Sequence, residues 1–195
     1  RSNPGGFRQD QYPHGFDMKA KTILICGGSQ GAQTMNTCCI AAVRHWVKQG
    51  FQVVWQTGTA GFNDVHAKVG QLTSVFVFPT LDDLYPFYAC ASIVVGRAGA
   101  STLAEIACFG LPCVLIPLPW ATENHQWINA GVVEQQGWAV RVKQNESAEK
   151  AVDTAVAAIL ADKEKMETMR RKALDHAPTA AAATIVETVL SEINP

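Results

Sequence analysis

TILICGGSQGAQTMN, Thr22 to Asn36, joins an apolar run of strand length to a glycine cluster and then to a segment of helical period. The run Thr22–Cys26 does not alternate, and a continuous apolar run suits a strand buried on both faces, as in a parallel sheet. Gly27, Gly28 and Gly31 flank Ser29 and Gln30. The spacing is not G-x-G-x-x-G, and no Gly-Lys-Ser/Thr follows, so neither dinucleotide fingerprint nor P-loop is present. Two readings stand side by side. Successive glycines let backbone N–H groups approach a phosphate at the positive end of the following helix. The plainer reading is a tight turn that needs glycine for its backbone alone.

Outward from this junction the same unit recurs. Apolar runs lie at 51–57 (FQVVWQT), 75–78 (VFVF), 92–96 (SIVVG), 113–117 (CVLIP) and 138–142 (WAVRV). Helical segments are expected over Ala32–Gln49, Leu81–Cys90, Ser101–Phe109, Asn124–Gln136, Ser147–Leu160, Lys163–Asp175 and Ala180–Glu192. Several end at a glycine suited to a C-cap, Gly50, Gly110 and Gly137 among them. Alternating β and α with short links predicts an α/β fold, a doubly wound parallel sheet. Ligands of such sheets bind in the loops beyond the carboxyl ends of the strands.

Two further loops carry polar side chains at such positions. VVGRAGASTLAEIACFGLP, Val94 to Pro112, brackets Arg97 with Gly96 and Gly99, then opens a helix with Ser101 and Thr102. Those hydroxyls suit either capping or anion contact. Glu105 follows within the first helical turns; it either supports the helix dipole or accepts the two hydroxyls of a vicinal diol such as ribose. IPLPWATENHQWINA, Ile116 to Ala130, gathers Asn124, His125 and Gln126 where a helix begins. Three neutral polar side chains make directional bonds to sugar hydroxyls without adding charge, or simply cap and face solvent.

The chain as a whole narrows the choices. Its 195 residues suffice for one well-buried domain. Sixteen basic and seventeen acidic residues leave a net charge of -1, so no global basic field draws it to nucleic acid or anionic lipid. Cys26, Cys38, Cys39, Cys90, Cys108 and Cys113 sit in or beside apolar segments without C-x-x-C spacing. Reduced thiols in a cytosolic protein are expected, and no zinc site. No apolar run approaches the roughly 20 residues that span a bilayer. The histidines outside the third loop (His14, His45, His66 and His176) lack ligand spacing. RSNPGGFRQDQYPHGFDMKAK at the start is polar, contains Gly and Pro and lacks an initiating Met, and reads as a linker at a domain boundary of something longer.

GGSQGAQTMN, GRAGASTLAEIACFGLPCVLIPLP and ENHQWINA, taken together and in order, closely resemble the MurG family of UDP-N-acetylglucosamine transferases, from about Lys21 to the C-terminus. The resemblance implies a GT-B glycosyltransferase of two Rossmann-like domains, of which this chain is the C-terminal, donor-binding half. Residues 1–20 would then be an interdomain linker remnant and 21–195 the UDP-GlcNAc-binding domain. On the family's pattern, Gly28, Ser29 and Gln30 face the diphosphate, Leu81 meets uracil through its backbone, and Ser101 and Thr102 lie near the phosphates. Glu105 accepts the ribose hydroxyls, and Asn124, His125 and Gln126 line the GlcNAc pocket. The implied reaction is an inverting transfer of GlcNAc to lipid-linked MurNAc-pentapeptide in peptidoglycan synthesis, with no cofactor and no required metal. The implied partners are UDP-GlcNAc and the N-terminal acceptor domain, at the cytoplasmic face of the bacterial inner membrane, with no nucleic acid. No catalytic residue is expected in this half. Family members carry a GNPVR-like linker whose Arg approaches the donor; here RSNPGGFR has Arg8 out of register, and Arg8 takes no such role. Two alternatives remain open: the donor half of another MurG-like transferase, and a stand-alone nucleotide-binding module.

Overall fold

A computed structural model describes residues 7–27, 33–119 and 124–181. Among these residues six strands form one sheet: β1 (Thr22–Cys26), β2 (Gln52–Gln56), β3 (Val75–Phe78), β4 (Ala91–Gly96), β5 (Cys113–Leu115) and β6 (Ala139–Arg141). Every pairing is parallel, in the order β3-β2-β1-β4-β5-β6. The helices are α1 (Gln33–Lys48), α2 (Thr59–Val69), α3 (Tyr85–Cys90), α4 (Ala100–Cys108), α5 (His125–Gln135), α6 (Ala148–Ala161) and α7 (Lys163–Asp175).

The strand residues divide by parity, because successive side chains leave opposite faces. Ile23, Ile25, Val53, Trp55, Ile93, Val95 and Val114 pack on one side with α1, α2 and α6. Leu24, Cys26, Val54, Val94, Cys113 and Leu115 pack on the other with α3, α4 and α5. Both sets must be apolar, which is why the strands read as unbroken hydrophobic runs. All six expected strands are present, β1 and β3 with the expected bounds.

Two helical segments differ from expectation among the described residues. The one expected from Leu81 begins at Tyr85; Asp83 lies outside it and accepts the Tyr85 N–H at 2.8 Å. Helix α2 was not expected, because Gly58 and Gly61 interrupt its pattern. Gly61 is required by packing, since a Cβ there would strike the Asn36 amide of α1. The helix expected over Ala180–Glu192 lies, beyond its first two residues, outside the described residues.

The segment before β1 is more than a polar strap. It contains a 3-10 turn, Gln9–Gln11, and buries Tyr12 and Phe16 on the α3 side of the sheet. Tyr12 stacks on Phe16 at 4.7 Å, meets Phe87 edge-on at 5.7 Å, and donates its hydroxyl to the Pro86 carbonyl at 3.0 Å.

Candidate functional site

The chain of a doubly wound sheet starts in the middle and winds outward both ways, so strands β1 and β4 are neighbours whose crossovers leave in opposite directions. A crevice opens there at the carboxyl ends of the strands. The backbones come close: a Cβ on Gly96, the last residue of β4, would meet the Cys26 carbonyl at 3.0 Å. The loops after β1, β4 and β5 share this edge, because those strands are consecutive in the sheet.

Of the first loop, Gly27 is described, and Gly28, Ser29 and Gln30 lie outside the described residues. What holds the following helix is visible. Asn36 is buried on α1, donates to the Thr57 carbonyl at 2.9 Å and accepts the Trp55 indole N–H at 3.2 Å. A buried amide with both ends satisfied fixes the helix start against the end of β2. Beside it, Gln56 closes β2 with a buried Oε1 that has no partner among the described residues.

In the second loop, Gly99 is the N-cap of α4 and no side chain caps it. Ser101 and Thr102 are the second and third helical residues, one exposed and one half-buried, so their hydroxyls are not spent on capping. Glu105 stands one turn further on. It is not part of a capping box; its Oε2 accepts the Tyr88 hydroxyl of α3 at 3.1 Å. Arg97 is buried, and its guanidinium donates to the Ile116 carbonyl at 2.6 Å and to Gln144 Oε1 at 2.7 Å. Burial pulls its pKa below the ordinary value, an effect opposed by the thiols of Cys38 and Cys39.

In the third loop, Asn124 is the N-cap of α5 in the left-handed conformation (φ 57°), with no side-chain capping bond. Asn124 and His125 are exposed, and Gln126 is half-buried with its Oε1 accepting the Leu118 N–H at 3.0 Å. Asn129 of α5 donates to the Ala98 carbonyl at 3.1 Å. The Arg97–Ile116 and Asn129–Ala98 bonds thus tie the second loop to the third. A cavity of about 310 Å³ opens beside this loop, lined by Pro117, Leu118, Asn124, Trp127, Lys143 and Gln144 among others. A larger groove of about 620 Å³ runs along β6 and α6 and shares no residue with the three loops.

Leu81 is half-buried and packs with Leu84 on the α3 side of the core, ahead of α3 rather than within it. The sequence reading missed Tyr88, Asn36, Asn129 and Gln144. Asn36 alone left a local signal, a polar residue on the apolar face of its helix beside Met35 and Cys39. The other three act across 17 to 47 residues of chain.

Residues 22–188 match the glycosyltransferase family 28 C-terminal domain. The chain belongs to that family. A relative from Listeria welshimeri is 33% identical over 180 residues, which is 91% of this chain and 50% of its own length. A second, from Bacillus licheniformis, is 38% identical over 156 residues, 78% of this chain and 43% of its own length. Both are named UDP-N-acetylglucosamine--N-acetylmuramyl-(pentapeptide) pyrophosphoryl-undecaprenol N-acetylglucosamine transferase. The crystal structure of Acinetobacter baumannii MurG superposes with a TM-score of 0.76 at 27% identity, covering 89% of this chain and 50% of that one. The resemblance seen in the three loops therefore extends over the whole family 28 domain and its fold. This chain spans about half the length of the curated relatives it matches. Among the described residues there is no group of three or more His, Cys, Asp or Glu that could hold a metal ion, and no helix long and apolar enough to cross a membrane.

Proposed function

We propose that this family 28 domain binds UDP-GlcNAc as the donor half of an inverting transferase of the MurG kind. The observation that carries the reading is Glu105. Its carboxylate stands at the switch point of the sheet, is committed neither to a cap nor, among the described residues, to an ion pair, and keeps acceptor capacity beyond its bond to Tyr88. A carboxylate accepts both hydroxyls of a vicinal diol, which suits the ribose of a nucleotide. Around it, Gly28, Ser29 and Gln30, with Ser101 and Thr102, would receive the diphosphate. Leu81 would offer its backbone to uracil. Asn124, His125 and Gln126 would surround the sugar.

In the intact protein, the 4-hydroxyl of a lipid-linked MurNAc-pentapeptide would attack the anomeric carbon. The new C–O bond forms as the bond to the β-phosphate oxygen breaks, and the hydroxyl proton passes to a base supplied by the acceptor half. UDP leaves with the electron pair. The donor half would stabilise that charge through loop amides and the positive ends of α1 and α4, without a metal ion. Chemistry of this kind belongs at the cytoplasmic face of the membrane, where the lipid-linked acceptor and the sugar nucleotide meet.

Calorimetry on the chain with UDP and UDP-GlcNAc tests the reading. Both should bind, and Glu105→Gln should weaken both equally, about tenfold or more, since a charge-assisted hydrogen bond contributes roughly 1.5–3 kcal/mol. Unchanged affinity for the variant would remove Glu105 from the ribose site. The chain alone should transfer no sugar to a lipid-linked acceptor.

A further inference from the structure

Tyr88 belongs to none of the three loops, yet its hydroxyl reaches Glu105 of the second. It donates to Glu105 Oε2 at 3.1 Å, with the Cys26 thiol, at the end of β1 just before the glycine loop, in its electrostatic neighbourhood. Its ring is buried and stacks on Phe109 at 5.5 Å, so the hydroxyl has little freedom to move. Resting on the reading of Glu105 as the ribose acceptor, we infer that Tyr88 is a positioning residue for ribose recognition. Its O–H clamps one carboxylate oxygen, so that the remaining lone pairs of Glu105 face the vicinal diol of a bound nucleoside diphosphate.

The chemistry of the pair fits that role. An ionised carboxylate offers about four acceptor sites. Tyr88 takes one, and a diol needs two. A glutamate on a helix turns about three side-chain bonds, and without the clamp its carboxylate would have to be ordered anew at each binding event. Burial first, then the neighbouring thiol and carboxylate, hold the Tyr88 phenol far above its ordinary pKa. The group is therefore a hydrogen-bond donor at every usable pH.

The test is a comparison of UDP with 2′,3′-dideoxy-UDP by calorimetry on the chain, on Tyr88→Phe, on Glu105→Gln and on the double variant. Tyr88→Phe keeps the ring and its stacking. The expected result is that the unsubstituted protein prefers UDP about tenfold or more. Tyr88→Phe should shrink that preference about three- to tenfold while leaving dideoxy-UDP binding unchanged. In the Glu105→Gln background, adding Tyr88→Phe should change the preference by less than about twofold, the sign of two residues acting as one unit. A Tyr88→Phe variant that keeps the full preference while Glu105→Gln loses it overturns the clamp alone. A Glu105→Gln variant that keeps it overturns the ribose reading and the clamp together. A role in packing alone would lower the melting temperature without moving the ratio between the two nucleotides.

Discussion

At Gln126 the amide oxygen is already occupied by the Leu118 N–H at 3.0 Å. The sequence points to a polar trio at the start of a helix and assigns Gln126 both a donor and an acceptor toward the sugar. Its residue type and position were legible, but not its bond to Leu118, because Leu118 sits across a proline-flanked loop. One lone pair of the oxygen is spent on the loop, and the NH₂ remains to donate. Gln126→Ala should therefore lower affinity for UDP-GlcNAc about tenfold, within the roughly 1–3 kcal/mol of a lost bond in a site that discriminates by hydroxyls, and leave UDP unchanged. Gln126→Glu separates the two jobs, since it keeps an acceptor for Leu118 and removes the donor. Calorimetry that finds the Glu variant as weak as the Ala variant places the NH₂ on the sugar. A Glu variant equal to the parent protein would confine Gln126 to holding its loop. The capping alternatives for Ser101, Thr102 and Asn124 turn on which residue sits at each N-cap and on the absence of a side-chain cap bond there among the described residues, details that composition does not encode.

Among the elements, α1 and α6 lie together on one face of the sheet and are joined by a small polar lock. Asp153 of α6 accepts the buried Trp46 indole N–H at 2.8 Å and engages His45 Nδ1 at 2.9 Å. Removing the carboxylate leaves the indole unsatisfied in an apolar setting. Asp153→Ala should destabilise the fold by about 1–3 kcal/mol, read as a lower urea midpoint with an unchanged slope, and should leave nucleotide affinity alone. A shift in affinity of the same size would show that α1 transmits strain to the first loop. The strands were legible because burial on both faces forces unbroken apolar runs, and that signal survives without any contact information. Helix α2 was not, since Gly61 serves a close approach to Asn36 and Gly58 starts the helix at positive φ, demands that override local propensity. Tyr12 and Phe16 hid in the same way: an otherwise polar segment conceals the fact that two of its rings are core.

For the molecule as a whole, the thiols give a pH signature. Burial pushes the Cys26 thiol from its ordinary 9.0 up to about 12, and burial raises Cys39 and Cys113 further. A folded-state pKa above the unfolded one means the native state keeps protons that the unfolded chain sheds. Stability is then full below pH 9 and is lost as pH rises from 9 toward 12. Urea midpoints should fall between about pH 9 and pH 10.5; a flat profile would show that these thiols ionise in place. The buried indoles lead to a consequence in light rather than in energy. Trp46, Trp55 and Trp138 are at most 2% exposed, each with its N–H bonded to a side chain. Trp127 lies half-buried beneath the Arg141 guanidinium at 3.9 Å, on the same turn of α5 as Gln126. The first three emit as shielded chromophores and redden only when the whole sheet opens. If a ligand enters beside the third loop, Trp127 is the one of these four whose surroundings change while the fold stays shut, so a shift in emission without loss of the sheet would report occupancy.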